Sequence, residues 1–149
     1  MYLLDTNVVS ELRKRKCDSG VARWFSKVPD SELYLSVITI LEIEKGIERQ
    51  RTLNSPFADQ LIDWLEQTLR VFGDRILPLT INIARRWGRL AAQLGNTELD
   101  LAIAATALEH GLTVVTGNTT HFQRTGAPLF NPFHARRGTS EGVIPPTEN

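Results

Sequence analysis

The sequence predicts an α/β fold with a small, mainly parallel central sheet. Short apolar runs, too brief for core helices, stand at Tyr2–Leu4, Leu33–Ser36 and residues 112–116, with a weaker one at 76–79. Amphipathic helical periods lie between them. Strands that alternate with helices in this way fit crossover connections between parallel neighbours.

Taken in order, the first run, Tyr2–Leu4, ends in Asp5-Thr6-Asn7, residues that start turns and cap helices, so a helix is expected from about Val8. After residues 33–36, Ile40, Ile43 and Ile47 share one side of a helix. Ser55-Pro56 is a helix start, and Phe57, Leu61, Trp64, Leu65 and Phe72 then follow at mostly three- and four-residue steps. Ile83, Trp87, Leu90, Ala91 and Leu94 repeat the pattern until Gly95-Asn96 stops it. Leu99–His110 reads as a further helix, closed by Gly111 just past its end. From about His134 the chain thins to Gly, Ser, Pro and Glu, so one domain is expected over residues 1–133 and a flexible C-terminal tail over 134–149.

At 149 residues and 42% hydrophobic composition, the chain is long enough for one domain with a real core. Its formal net charge is zero, so no global field draws it to a polyanion, which would have to be held by a local basic patch or through a metal. The basic candidates are Arg13-Lys14-Arg15-Lys16, Arg49 with Arg51, Arg85-Arg86 with Arg89, and Arg136-Arg137. Cys17 is the lone cysteine and has no zinc-ligand spacing around it, which fits a reducing compartment. The first residues lack a basic region and long apolar run, and no segment approaches membrane-spanning length. A soluble, cytoplasmic protein is therefore expected.

Three carboxylates and one amide stand where chemistry is favoured. Asp5 ends a strand, the edge where open α/β sheets bind ligands, although it could equally start a turn or cap a helix. Asp100 precedes Ile103, Ala104, Ala107 and Leu108 by three, four, seven and eight residues and so shares their apolar stripe, where an unpaired carboxylate is costly. Thr97 to Asp100 also has capping-box spacing, as does Thr39 to Glu42. On the helical wheel Glu44 lies nearer the isoleucine stripe than Glu42, so periodicity does not choose Glu42. Asn118 follows the run at 112–116 and either orients water or phosphate or makes a turn.

These residues carry a resemblance. Leu3-Leu4-Asp5-Thr6-Asn7, Ser36 to Glu42 leading to Gly46-Ile47, Asp100 to Ala105, Val115-Thr116-Gly117-Asn118, His121-Phe122 and Asn131-Pro132-Phe133 together resemble the PIN-domain nucleases, and within them the VapC toxins of type II toxin-antitoxin pairs, including the FitB-like branch. The resemblance implies a three-layer α/β/α arrangement and a Mg²⁺-dependent endoribonuclease, with Mn²⁺ a substitute in vitro. It places the family's first three acids on Asp5, Glu42 and Asp100, with Asp5 and Asp100 as metal ligands. Glu42 would position or deprotonate the attacking water, Thr6 would orient Asp5, and Asn118 would bind phosphate or water. It further implies a homodimer and a cognate antitoxin lying across an acidic groove. The chain departs from the family at the fourth acid, where Asn118 stands and His121 takes a place often acidic. A catalytically weak PIN-like module that binds RNA or protein is therefore the alternative. Asp5-Thr6-Asn7-Val8-Val9 is also similar to the nucleophile motif of haloacid-dehalogenase-type phosphatases, but Asn7 replaces that motif's second Asp.

Overall fold

The computed structural model describes residues 1–134. Its strands are β1 (Tyr2–Leu4), β2 (Leu33–Ser36), β3 (Ile76–Leu77), β4 (Thr113–Val115) and β5 (Leu129–Phe130). The helices are α1 (Thr6–Arg13), α2 (Ser19–Lys27), α3 (Val37–Leu53), α4 (Ser55–Phe72), α5 (Ile81–Leu94), α6 (Leu99–His110) and the short α7 (Thr119–Phe122). All strand pairs are parallel, in the order β3-β2-β1-β4-β5. The chain adds β2 and β3 on one side of β1, then returns to add β4 and β5 on the other. Strand order thus reverses between β1 and β4, which opens a crevice beyond their carboxyl ends.

The two-residue period of the strands builds three layers. Leu3 and Val114 pack on one face with Ile83 and Leu90 of α5 and the buried run of α6. Leu4, Leu35 and Val115 pack on the other with Val8, Val21, Ile43, Ile47 and Leu65 from α1 to α4. Helix α6 is buried all round from Leu101 to Ala107, so the apolar stripe expected beyond Asp100 is in fact a complete apolar sleeve. Gly111, at φ 65°, closes it in the left-handed conformation that glycine adopts at least cost. Among the described residues, no helix is long and apolar enough to cross a membrane.

Several local details differ from the sequence reading. Strand β3 stops at Leu77, because Pro78 has no N–H for a ladder. Neither expected capping box forms: Ser36 caps α3 by accepting from the Ile38 N–H, Thr39 is buried inside the first turn, and α6 begins at Glu98 without a side-chain cap. Helix α2 and strand β5 were not anticipated. The expected tail lies outside the described residues apart from His134, whose N–H donates to Asp18 Oδ1 at 2.9 Å.

That oxygen also accepts from the N–H groups of Gly20 and Val21, so one carboxylate caps α2 and holds the end of the described chain. Gly20 is where the two segments touch: a Cβ there would lie 2.4 Å from the Pro132 carbonyl oxygen and 2.7 Å from the His134 nitrogen. Both are backbone atoms, so neither can swing away. Gly20→Ala should lower the unfolding free energy by about 1–3 kcal/mol, read as a lower urea midpoint at unchanged slope. An unchanged midpoint would show that the contact yields freely.

Candidate active site

Asp5 extends β1 by one residue, its N–H donating to the Val115 carbonyl at 2.9 Å. The side chain therefore enters the crevice between β1 and β4. Oδ1 accepts from the Thr6 N–H at 2.8 Å, which caps α1, and Oδ2 accepts from Thr116 Oγ1 at 2.8 Å. Capping and a place in the site thus coexist in one residue. Asp5 is only 4% exposed, and its pKa is raised from 3.8 to about 6. Burial is the main cause; the two hydrogen bonds oppose it, and the charges of Asp100 and Glu42 add to it. The three acids therefore share one electrostatic field.

Thr116 is the fixed point beside them. Its N–H donates to the Phe130 carbonyl of β5, and its hydroxyl donates to Asp5 while accepting from Asn7 Nδ2 at 3.3 Å and the Asn118 N–H at 2.9 Å. Asn7 Oδ1 in turn accepts from the Gly117 N–H at 3.3 Å. Asn7 is thereby occupied in tying two chain segments together, which is not the acid/base position of a dehalogenase-type site. The Phe133 ring packs against Gly117, where a Cβ would come within 2.9 Å of it. Asn118 projects its amide into solvent at the start of α7, with no side-chain partner among the described residues.

Glu42 lies in the second turn of α3, and its Oε1 accepts from Thr6 Oγ1 at 2.8 Å. Thr39 Oγ1 is 3.4 Å from the same hydroxyl. Thr6 therefore holds Asp5 through its backbone N–H, and its side chain in addition orients Glu42. Glu44 points to solvent, whereas Glu42 flanks the buried face of α3, the reverse of the wheel-based reading. Asp100, in the first turn of α6, places Oδ2 3.0 Å from Nδ1 of the exposed His121. Among the described residues, no three His, Cys, Asp or Glu side chains converge closely enough to form a complete protein-only metal site. From Thr6 and Glu42 a groove of about 210 Å³ runs between α1, α3 and α4, past Arg13, Phe57 and Trp64.

Sequence reasoning named Thr116, Thr39 and Asn7 only within motifs and gave none of them the hydrogen-bonding role they have here. The register Leu4↔Val115 makes Thr116 the neighbour of Asp5, but nothing local in the sequence pairs β1 with β4.

The PIN-domain profile matches residues 2–128. The chain belongs to the PIN-domain family. This PIN domain is 34% identical over 143 residues to the VapC ribonuclease Y4jK of Sinorhizobium fredii, covering 89% of this chain and 98% of that one. It is 34% identical over 140 residues to the toxin FitB of Neisseria gonorrhoeae, covering 90% and 99%. Among solved structures, FitAcB from Neisseria gonorrhoeae superposes with a TM-score of 0.79 at 35% identity, covering 91% of this PIN domain and all of that chain. VapBC-1 from nontypeable Haemophilus influenzae superposes with a TM-score of 0.66 at 26% identity, covering 88% and 97%.

The raised pKa of Asp5 fixes a pH dependence opposite to that of most carboxylates. Between about pH 4 and 6 the folded chain holds a proton that the unfolded chain has released, so the ion-free protein loses stability as pH rises through that window and levels off above it. The loss is on the order of 3 kcal/mol. Asp5→Asn should flatten this limb and raise the urea midpoint in EDTA at pH 7. If the difference between the wild-type and Asp5→Asn midpoints does not change between pH 4 and 6, the assignment is contradicted.

Proposed function

We propose that this PIN domain is a Mg²⁺-dependent endoribonuclease, the toxin of a toxin-antitoxin pair, acting in the cytoplasm. The observation that carries the reading is Asp5: a carboxylate buried at the β1/β4 crevice in the field of two further acids, each of its oxygens accepting one hydrogen bond and so keeping a lone pair for a cation. The donors are all hard oxygens, which suits Mg²⁺ or Mn²⁺. Mg²⁺ commonly takes only one or two carboxylates and keeps several waters, so Asp5 and Asp100 suffice as its ligands without a third converging side chain. The names of the VapC and FitB relatives support the activity and the toxin role.

Bound there, the ion would supply a water of lowered pKa and offset charge on the scissile phosphate. The chain's own residues do the rest. Thr116 and the Thr6 N–H hold Asp5 ionisable and fixed. Glu42, steadied by the Thr6 hydroxyl, takes the proton from the attacking water. The free amide of Asn118 binds a phosphate oxygen or a water. His121 neutralises Asp100 when protonated and must yield that oxygen to a ligated ion. A cognate antitoxin completes the reading, supported by the FitAcB and VapBC-1 structures, and a homodimeric assembly is proposed with it on the family resemblance alone.

Purified, antitoxin-free protein should cleave total RNA with Mg²⁺ and not with EDTA. Asp5→Asn and Asp100→Asn should each abolish cleavage while circular dichroism stays native. Full activity in either variant would remove that residue from the metal site, and wild-type inactivity would favour a binding module. Thr6→Val should lower kcat on the order of tenfold with KM within about twofold, and Thr6→Ser should restore it. A change in KM alone would mean that Thr6 serves binding instead.

A further inference from the structure

The groove that leaves the acidic crevice has a composition the three acids do not explain. Its walls come from α1, α3 and α4, and Thr6 and Glu42 stand at one end, so anything seated in it adjoins the reacting bond. Arg13 lies along it, with its guanidinium 5.2 Å from the Phe57 ring centroid and 6.0 Å from that of Trp64. Of the basic side chains near it in sequence or on α3, Lys14 is engaged by Glu11 and Arg51 by Glu48. Arg13 has no carboxylate partner among the described residues. A guanidinium stacked on aromatic faces keeps its N–H edge available for a phosphate.

Gly46 adds an independent mark. It sits in the middle of α3 on the groove wall, where glycine costs a helix roughly 0.5–1 kcal/mol relative to alanine, and a Cβ there would meet nothing within 4 Å. No packing demand calls for glycine, but the groove stays open because of it. At about 210 Å³ the space has room for one ring system.

We infer that this groove is a nucleotide subsite for single-stranded RNA, in which Trp64 and Phe57 stack one base and Arg13 binds an adjoining phosphate. The choice of RNA as the polyanion rests on the ribonuclease reading. Rings beside a cation repeat the base-and-phosphate alternation of a single strand, and base–aromatic stacking is tolerant of sequence. With a net charge of zero, the protein relies on such a local contact to hold the strand.

The test is the affinity of a 5′-labelled, ten-nucleotide single-stranded RNA, read by fluorescence anisotropy in EDTA. Trp64→Leu should weaken binding about tenfold, the size of a lost stack, and Trp64→Phe should recover most of it. Gly46→Leu, which fills the groove at a position with room for a side chain, should weaken binding similarly at an undiminished melting temperature. Arg13→Gln should lower the slope of log affinity against log salt by about 0.7, one phosphate contact, and Arg13→Lys should retain it. An abasic strand of equal length should bind wild type and Gly46→Leu alike. If folded Trp64→Leu and Gly46→Leu bind the RNA as wild type does, or wild type does not bind it, the inference is overturned and a protein segment becomes the groove's occupant. Cleavage of the same strand in Mg²⁺ is scored separately. Cleavage with affinity blind to these changes overturns the subsite alone, whereas affinity that falls without any cleavage overturns the enzyme reading and leaves the subsite standing.

Discussion

The hydrogen bond from Thr116 to Asp5 joins the ends of two strands that are far apart in sequence and adjacent in the sheet. Everything at the acidic crevice is referred to it. The strand order reverses between β1 and β4, so no crossover helix closes the space above them, and the residues just past each strand face a common opening. A charge placed there is desolvated by the two helical layers yet remains reachable from the open end. Asp5 is too buried to be indifferent to its neighbours and too well hydrogen-bonded to be expelled.

Around that pair, four helices contribute chemical groups at or near their first turns. Helix α1 gives Thr6, α3 gives Glu42, α6 gives Asp100 and α7 presents Asn118 and His121. The long remainder of each helix serves packing. Short connections make this placement accurate: α1 and α3 start directly after Asp5 and Ser36, so their first side chains inherit the position of the strand. The loop after β4 is braced from behind by Phe133 on Gly117 and from the side by Asn7. A crevice between moving parts would not hold like charges close together.

The layers and most elements were legible because apolar periodicity is a local property. Leu33–Ser36, the helix start at Ser55-Pro56 and the Gly111 stop all needed only their neighbours in sequence to be read. Helix α2 was legible in principle, since Asp18 precedes a Val21, Trp24, Phe25, Val28 spacing, whereas the two residues of β5 carry no period at all. What could not be read was everything fixed by pairing across the sheet. Thr116 looks like any strand-end threonine until β1 lies beside it. Glu42 is outranked by Glu44 on a wheel drawn through three isoleucines, because that wheel leaves out Thr39, the polar residue that turns the buried face toward α1. Asp100 was singled out on an incomplete reason, since a helix buried on every side has no stripe to share.

Helix α6 marks the part of the molecule least able to take a larger side chain. Ala102, Ala104, Ala105 and Ala107 are completely enclosed, so the spacing between α5, α6 and the sheet is set by methyl groups with no slack. Any larger residue in that run pushes a whole layer, and Asp100 travels with it. Asn118 and His121, by contrast, stand in solvent on a single short turn, where exchange of one polar residue for another disturbs no packing. The two regions therefore differ in what a substitution costs: the alanine-lined interior is fixed by volume, whereas a new polar side chain at position 118 displaces only water.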